Sequence, residues 1–412
     1  MLKIELSELI RNGENSGVEF KRDDVHRDSL AKEIAALLNL EGGHILLGVE
    51  DDGMVTGLTR DASMAEEWVM TVCRDHVQPA IIPYWETIPW ERSKIIGVIT
   101  LPADSPYKPY KARRGSARLT FVRVGSSSRE ATREEEARLY QASGLMRYDL
   151  KRVPGGTMAD LDRRRLENYF RDIRQQDVPV EEDEVAWRQL LLNTDLVIAD
   201  RGKSIPTTGA ILIFGRKPNR FLPQAGITAT AYPGAEKDYA TQERATLRGA
   251  IAPLLSVESD MLENGLVEQV TDFVRRNTEV EAWIDEGGRR QDRWKDYPLE
   301  AVREAVVNAI AHRDYTISVT DIEVSLYSDR LEVISPGRLP NTVTVEKMKQ
   351  GYRAARNELM KEILRDYRYI EDTGLGVPRK IIRGMRDHNG TEPDLIEEED
   401  RFIVRLWKGP RY

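Results

Sequence analysis

The chain has 412 residues, enough for two or three domains with sizeable cores. Charged residues make up 32% and apolar residues 40%, as in a soluble protein, and the net charge of −8 excludes a chain that coats nucleic acid by bulk charge while leaving room for a local basic groove. The single cysteine, Cys73, excludes an intrachain disulfide, and no Cys/His zinc spacing is present. Cys73 lies in an apolar run and reads as a buried structural thiol. The N-terminus lacks a signal-type apolar segment and no apolar run nears a membrane span, so a cytoplasmic protein with no membrane partner is expected.

In chain order, Leu6–Arg11 reads as a short helix and Glu19–Arg22 as extended. Ser29–Leu40 places Leu30, Ile34, Ala35, Leu37 and Leu38 at helical spacing. Gly42 and Gly43 end that helix and turn into a strand, His44–Val49, with Met54–Leu58 as its returning partner. Ala62–His76 follows as a helix, then strands Lys94–Leu101 and Leu119–Val124, a polar turn at Gly125–Arg129 and a helix at Thr132–Gln141. The Pro-Gly-Gly stretch near Val153 marks a linker over 145–160. Beyond it, Leu161–Gln175 and Glu184–Leu192 read as helices, Thr208–Phe214 and Ile227–Tyr232 as strands, and Arg244–Arg276 as mainly helical. Asp285–Arg293 reads as a loop. Leu299–His312 is a helix entered at Pro298, where a missing N–H costs little. Ile322–Leu326 and Arg330–Ile334 form a hairpin, Asn357–Asp366 and Val377–Met385 are helices, and Arg401–Trp407 is a terminal strand. The expected class is α+β, with domains at 1–145, 146–296 (a mixed α/β connecting region) and 297–412.

Two constellations carry chemistry. In the first, Glu14, Glu19 and Lys21 fall close together. On a strand, alternation places Glu19 and Lys21 on one face and Phe20 on the other. The strand His44–Val49 ends in Glu50, Asp51 and Asp52. If the segments lie side by side, Glu14, Glu19 and one of these acids converge on a cation, which removes the repulsion among carboxylates. Carboxylates holding Mg²⁺ or Mn²⁺, with a lysine facing the phosphate, are what phosphodiester cleavage needs. Alternation alone does not choose among Glu50, Asp51 and Asp52. Downstream, Lys108, Lys111, Arg113, Arg114, Arg118 and Arg123 occur in a stretch without an acid, a candidate nucleic-acid-binding groove.

Glu14, Glu19-Phe-Lys21, the helix ending in Asn39 before Gly42-Gly43, and the strand Ile45–Asp52 together resemble the Schlafen core domain of the AlbA-2 type. Lys108-Pro-Tyr and Phe121–Arg129 extend the resemblance, which covers about residues 1–140. It implies a metal-dependent endoribonuclease centre acting on structured RNA such as tRNA, with Glu14, Glu19 and Asp51 as catalytic metal ligands and Lys21 as the family's lysine. Many bacterial proteins with this domain are described instead as DNA-binding regulators, so RNA or DNA is the implied partner. Animal nucleases of the family clamp their substrate between two lobes, so a homodimer or higher homo-oligomer is the expected source of the second lobe here.

In the second constellation, Glu304, Asn308 and His312 recur at i, i+4 and i+8 and share a helix face. An Asn carbonyl suits Mg²⁺ on a triphosphate, and Glu304 is placed to orient a water. Gly374 and Gly376 precede a helix, where backbone N–H groups cradle phosphates. With the Ser335-Pro-Gly337 turn, residues 297–407 resemble the Bergerat ATP-binding fold, an α/β sandwich, in the divergent form labelled RecG-like C-terminal. The resemblance places Glu304 and Asn308 in the helix motif, Gly337 in the adenine-side turn, and Gly374 and Gly376 in the phosphate-side loop. It departs at the adenine-side turn, where Ser335 stands in place of the usual Asp. Three functions are expected on these grounds: an endoribonuclease gated by ATP or another nucleotide, serving phage defence or a stress response; an ATP-sensing DNA-binding transcriptional regulator without nuclease activity; and, less favoured, an ATPase with an accessory nucleic-acid domain.

Overall fold

The computed structural model describes residues 1–103, 107–143, 147–256, 260–284, 290–339, 343–352, 355–371, 374–398 and 400–409, with the backbone alone at 92, 142, 280–284 and 290–293. The chain divides into two units, Met1–Met146 and Arg147–Tyr412.

In the first unit, α1 (Lys3–Asn12) precedes β1 (Val18–Lys21), and α2 (Arg27–Asn39) leads to β2 (Gly43–Leu47). Then come α3 (Ala62–Asp75), β3 (Val77–Gln78), β4 (Tyr84–Pro89), β5 (Ile95–Leu101), β6 (Lys111–Arg114), β7 (Ala117–Val124), β8 (Ser127–Glu130) and α4 (Arg133–Ala142). Two four-stranded sheets result, ordered β1-β2-β5-β4 and β3-β6-β7-β8. β1 runs parallel to β2, with Glu19 opposite Ile45 and Phe20 opposite Leu46. Period-two alternation splits the apolar residues: Phe20, Leu46 and Val98 pack with Leu6, whereas Ile45, Leu47 and Ile99 pack with Leu30, Ile34 and Leu37 of α2. Glu19 sits on the α2 side and Phe20 on the other, as alternation requires.

Asn39 closes α2. Its buried amide donates to the carbonyls of Tyr110 and Phe121, each at 2.8 Å, and its Oδ1 accepts from the Tyr110 N–H at 2.7 Å. The expected strand Met54–Leu58 is reduced to one bridge, Val49 to Val55, because the Thr56 and Gly57 N–H groups both turn back to the Gly48 carbonyl. The expected turn at Gly125–Arg129 is shorter: Val124 already pairs with Ser127, so the polar residues after Ser126 form β8. Cys73 is buried, and burial pushes its thiol up to about 12, consistent with a structural role.

In the second unit, α5 (Arg163–Glu167) runs into a π-helical turn, Asn168–Ile173, followed by α6 (Glu184–Asn193), the hairpin β9 (Val197–Asp200) and β10 (Lys203–Pro206), and α7 (Thr208–Phe214). β11 (Ile227–Ala231), β12 (Glu243–Leu247), the pair β13 (Leu254–Leu255) and β14 (Met261–Glu263), and α8 (Leu266–Arg276) follow. After the hairpin β15 (Val280–Ile284) and β16 (Arg290–Trp294) come α9 (Leu299–His312), β17 (Ile322–Leu326), β18 (Arg330–Pro336), α10 (Val345–Lys349) and α11 (Glu358–Asp366). A π-helical segment, Gly376–Arg383, continues as α12 (Gly384–Asn389), and β19 (Asp394–Glu397) and β20 (Arg401–Trp407) end the unit.

Four expectations change here. Thr208–Phe214 is a helix: all seven residues are buried, so a continuous apolar run carries no period, and Thr207 caps it by accepting from the Ala210 N–H at 3.3 Å. Arg244–Arg276 is helical only over α8; the other described residues of the stretch form strands and turns. Part of the expected loop Asp285–Arg293 is strand β16, and residues 285–289 lie outside the described residues. Finally, the connecting region and the C-terminal region are not separate. The six-stranded sheet has the order β12-β11-β17-β18-β20-β19, with β11 parallel to β17, so strands from both regions share one sheet and one core.

The C-terminal end of α9 is buried, so its last carbonyls need donors from elsewhere. Each finds one: Ser335 Oγ donates to Ala309 O (2.9 Å), Tyr315 Oη to Ile310 O (3.2 Å), Asn357 Nδ2 to Ala311 O (2.9 Å) and Arg313 O (3.0 Å), and Arg356 Nη1 to His312 O (3.2 Å). Asn357→Ala leaves two buried carbonyls without a donor, at about 1–3 kcal/mol each. Urea unfolding of that variant is expected to show a loss of about 2–6 kcal/mol.

Candidate functional sites

The first candidate is the acid cluster around β1. The structure brings Glu14, Glu19 and Lys21 together: Lys21 Nζ bonds to Glu19 and lies 4.0 Å from Glu14 Oε1. Glu14 Oε1 also accepts from the Phe20 N–H at 2.8 Å, capping a backbone donor of β1, which is an edge strand. Glu19 is buried and also pairs with Arg123, which lies 3.1 Å from Glu33 of α2. Arg123 Nη2 further donates to Asn15 O (2.8 Å) and Val18 O (3.1 Å), and Ser128 Oγ donates to Glu33 at 2.5 Å. Burial pushes the Glu19 carboxyl above its usual range, against the pull of Lys21 and Arg123.

The expected metal centre is not assembled in this geometry. Asp51 is exposed in the turn after β2, and among the described residues no group of three or more His, Cys, Asp or Glu is placed to hold a metal. Glu50, one of the alternatives, faces Arg22 at 3.8 Å. The reason is electrostatic. Lys21 and Arg123 already supply the positive charge that a cation would bring to Glu19, so these residues as arranged do not fit Mg²⁺ or Mn²⁺.

The basic stretch also divides. Lys108 is buried, with Nζ donating to Leu40 O just past α2, and Arg123 is the buried centre of the network above. Lys111 pairs with Glu136 at 2.7 Å. Arg113, Arg114 and Arg118 are exposed on the β6–β7 hairpin. Arg113 stands directly opposite Arg118, a like-charge pair that disfavours the hairpin unless an anion lies near.

The second candidate is a cavity in the C-terminal unit. Glu304, Asn308, His312, Gly337, Gly374 and Gly376 all line it. Asn308 Nδ2 donates to Glu304 Oε1 at 2.9 Å, one helical turn away. Lys380 Nζ lies 3.6 Å from Glu304 Oε2 and 3.0 Å from Glu371. Burial raises the Glu304 carboxyl above its ordinary value, opposed by Asn308 and Lys380. Two glycines are obligatory. Gly376 passes so close to the Glu304 carboxylate that a Cβ would collide with it. Gly337 has φ +104°, and a Cβ there would meet Asp314 and the Arg356 guanidinium, each at 2.5 Å. Ser335, at the position where an adenine-pairing Asp is usual, gives its hydroxyl to Ala309 O. Lys380 is a site residue that sequence reasoning missed; its place one helical turn after Gly376 is the signal that could have found it.

Residues 14–132 match the family model Schlafen, AlbA_2, and residues 320–406 match HATPase_c_4, described as ATP-dependent DNA helicase recG C-terminal. The chain thus carries a Schlafen AlbA_2 domain followed by a recG-type HATPase domain, the architecture of a nucleic-acid-related protein. The two domains fit nucleic acid and ATP as partners. Among solved structures, the DIP2311 protein of Corynebacterium diphtheriae is 19% identical, with 98% of this chain and 80% of that chain covered and a TM-score of 0.45. The N-terminal domain of a RecG-related protein of Nitrosomonas europaea is 22% identical, with 31% of this chain and 90% of that one covered and a TM-score of 0.24. No curated protein matches the chain. Among the described residues no helix is long and apolar enough to cross a membrane.

The raised Glu304 carboxyl gives a pH test. Because its folded value lies above the unfolded one, its contribution to stability is complete below the ordinary value of 4.5 and is lost as pH rises through the folded value. Glu304→Gln is therefore expected to melt above wild type at about pH 8 and to lose that advantage near about pH 4.

Proposed function

We propose that the protein is a nucleotide-responsive nucleic-acid-binding regulator: it takes a nucleoside triphosphate in the C-terminal cavity and contacts DNA or RNA through its N-terminal domain. The observation that carries this reading is the gathering of Glu304, Asn308 and the three glycines on one cavity, with Lys380 held beside Glu304. Gly374 and Gly376 let the backbone approach the phosphates, and Lys380 offsets their charge. The oxygen donors of Glu304 and Asn308 fit a Mg²⁺ ion that arrives with the triphosphate and neutralises it. In the N-terminal domain, Arg113, Arg114 and Arg118 form the exposed positive surface that phosphate contact requires.

The nuclease reading has one observation in its favour, the convergence of Glu14, Glu19 and Lys21. Against it stands the use of those carboxylates inside the fold: Glu14 caps β1 and Glu19 is held by two cations. Cleavage of structured RNA, and with it a role in phage defence, is the second reading. Assembly as a homodimer or higher homo-oligomer remains part of it, to supply a second lobe.

Saturating ATP with Mg²⁺, at about 100 times Kd, is expected to stabilise wild type by about 2.7 kcal/mol. Asn308→Ala is expected to abolish the shift, and an unchanged shift would count against the cavity. Replacing Arg113, Arg114 and Arg118 together by alanine is expected to weaken nucleic-acid binding at all sequences. It should also flatten the slope of log K against log salt by about 0.9 for each duplex phosphate that the variant no longer neutralises. Incubation of tRNA, single-stranded RNA and DNA with Mg²⁺ or Mn²⁺ is expected to give no cleavage. Cutting by wild type that Glu14→Ala abolishes would establish the nuclease reading instead.

A further inference from the structure

The cavity has two ends. Glu304 and Gly376, with Lys380 beside Glu304, mark one, and the helix carries His312 about 12 Å further along the same stripe, eight residues on at about 1.5 Å each. At the His312 end lies the Ser335–Arg338 turn, whose Arg338 carbonyl accepts from Arg356, the residue that also binds the His312 carbonyl. No acid lines the cavity at this turn: Asp314 packs beside Gly337, and Glu397 accepts from the Leu339 N–H at 3.0 Å, but neither is part of the lining. The acids among the described residues lining the cavity, Glu304 and Glu371, are both beside Lys380. A fixed carboxylate acceptor for a base amino group is therefore missing where one is usual, and Ser335 donates to Ala309 O.

Of the other polar side chains that line this end, Arg338 lies 3.3 Å from Glu397 and Lys361 3.6 Å from Glu358; His312 differs from both. It is partly buried and lines the cavity, and its Nδ1 is itself buried with no hydrogen-bond partner among the described residues. Burial pushes the imidazole down to about 4, with Arg356 and Lys361 adding to the effect, so the ring is neutral at neutral pH. In a neutral imidazole one nitrogen donates and the other accepts, and the choice is set by the partner of the inner nitrogen. Here that inner nitrogen has none among the described residues, which leaves the tautomer free.

We infer that His312 is the base-reading, specificity-determining residue of the cavity, and that its free tautomer lets the site take both adenine and guanine nucleotides. Against an amino group on the base the ring accepts; against a keto oxygen it donates. A carboxylate at the same place would accept only and would repel the keto oxygen of guanine. The inference rests on the nucleotide reading of the cavity and goes beyond it in naming the ligand class.

The test is calorimetric titration of the full chain with ATP, GTP and inorganic tripolyphosphate, each with Mg²⁺. Wild type is expected to bind ATP and GTP within about tenfold of each other, and both at least about tenfold more tightly than tripolyphosphate, since one good hydrogen bond is worth about that factor. His312→Leu is expected to bring ATP and GTP down to the tripolyphosphate level while leaving tripolyphosphate unchanged. Asn308→Ala is expected to weaken all three. Preference of wild type for one base by more than about a hundredfold, or retention of the base contribution in His312→Leu, overturns the inference. Equal binding of all three ligands by wild type overturns it while leaving the phosphate site standing, whereas binding of none removes the nucleotide reading itself. The wild-type comparison needs no variant to fold.

Discussion

The C-terminal unit is organised by the need to satisfy one buried helix end. α9 lies in the core with residues such as Ala305, Val306, Ile310 and Ala311 fully or almost fully buried, and water cannot reach its last carbonyls. Ser335 from β18, Tyr315 from the following turn, and Arg356 and Asn357 from the entry to α11 supply the donors. Those bonds fix the helix against the sheet and the turn at Gly337, and hence the walls of the cavity. They also explain why Ser335 departs from an acidic adenine reader: its hydroxyl holds the helix, and a neutral donor is what a carbonyl needs. The cavity is, in this sense, a by-product of capping α9 from two sides.

The N-terminal unit shows the same economy with the opposite functional outcome. Glu19 and Glu33 meet Arg123 in a region where unpaired charge would be expensive, and the guanidinium also gathers two backbone carbonyls near β1. The acids that look catalytic in sequence thereby hold β1, α2 and β7 together. Two of the six basic residues expected to meet nucleic acid, Lys108 and Arg123, are likewise interior, which leaves the exposed positive charge at the tip of one hairpin.

Elements with a clear local signal were legible. α9, the β17–β18 hairpin and β20 fall where the apolar runs and the Pro298 and Ser328-Asp329 signals put them. Alternation on β1 correctly separated Phe20 from Glu19. Thr208–Phe214 was not legible, since an element buried on every side has no period to read. β12 and β16 were missed for a different reason: Glu243–Leu247 and Arg290–Trp294 are polar, and what makes them strands is the partner alongside.

Sequence by itself determined the two domain types, through motifs whose residue chemistry and spacing are local: Glu19-Phe-Lys21 with the Gly42-Gly43 turn, and Glu304, Asn308 and the glycines that follow. It determined that Glu304 and Asn308 share a helix face, because 3.6 residues per turn allow nothing else. Tertiary structure alone decided which charges are free. Whether Glu19 is a ligand or a buried partner depends on Arg123, more than a hundred residues away, and whether His312 is capped or left open depends on what packs against α9. Local spacing can bring like side chains to one face; only packing assigns each charge or ring nitrogen its partner, because in a low-dielectric interior every polar group needs one.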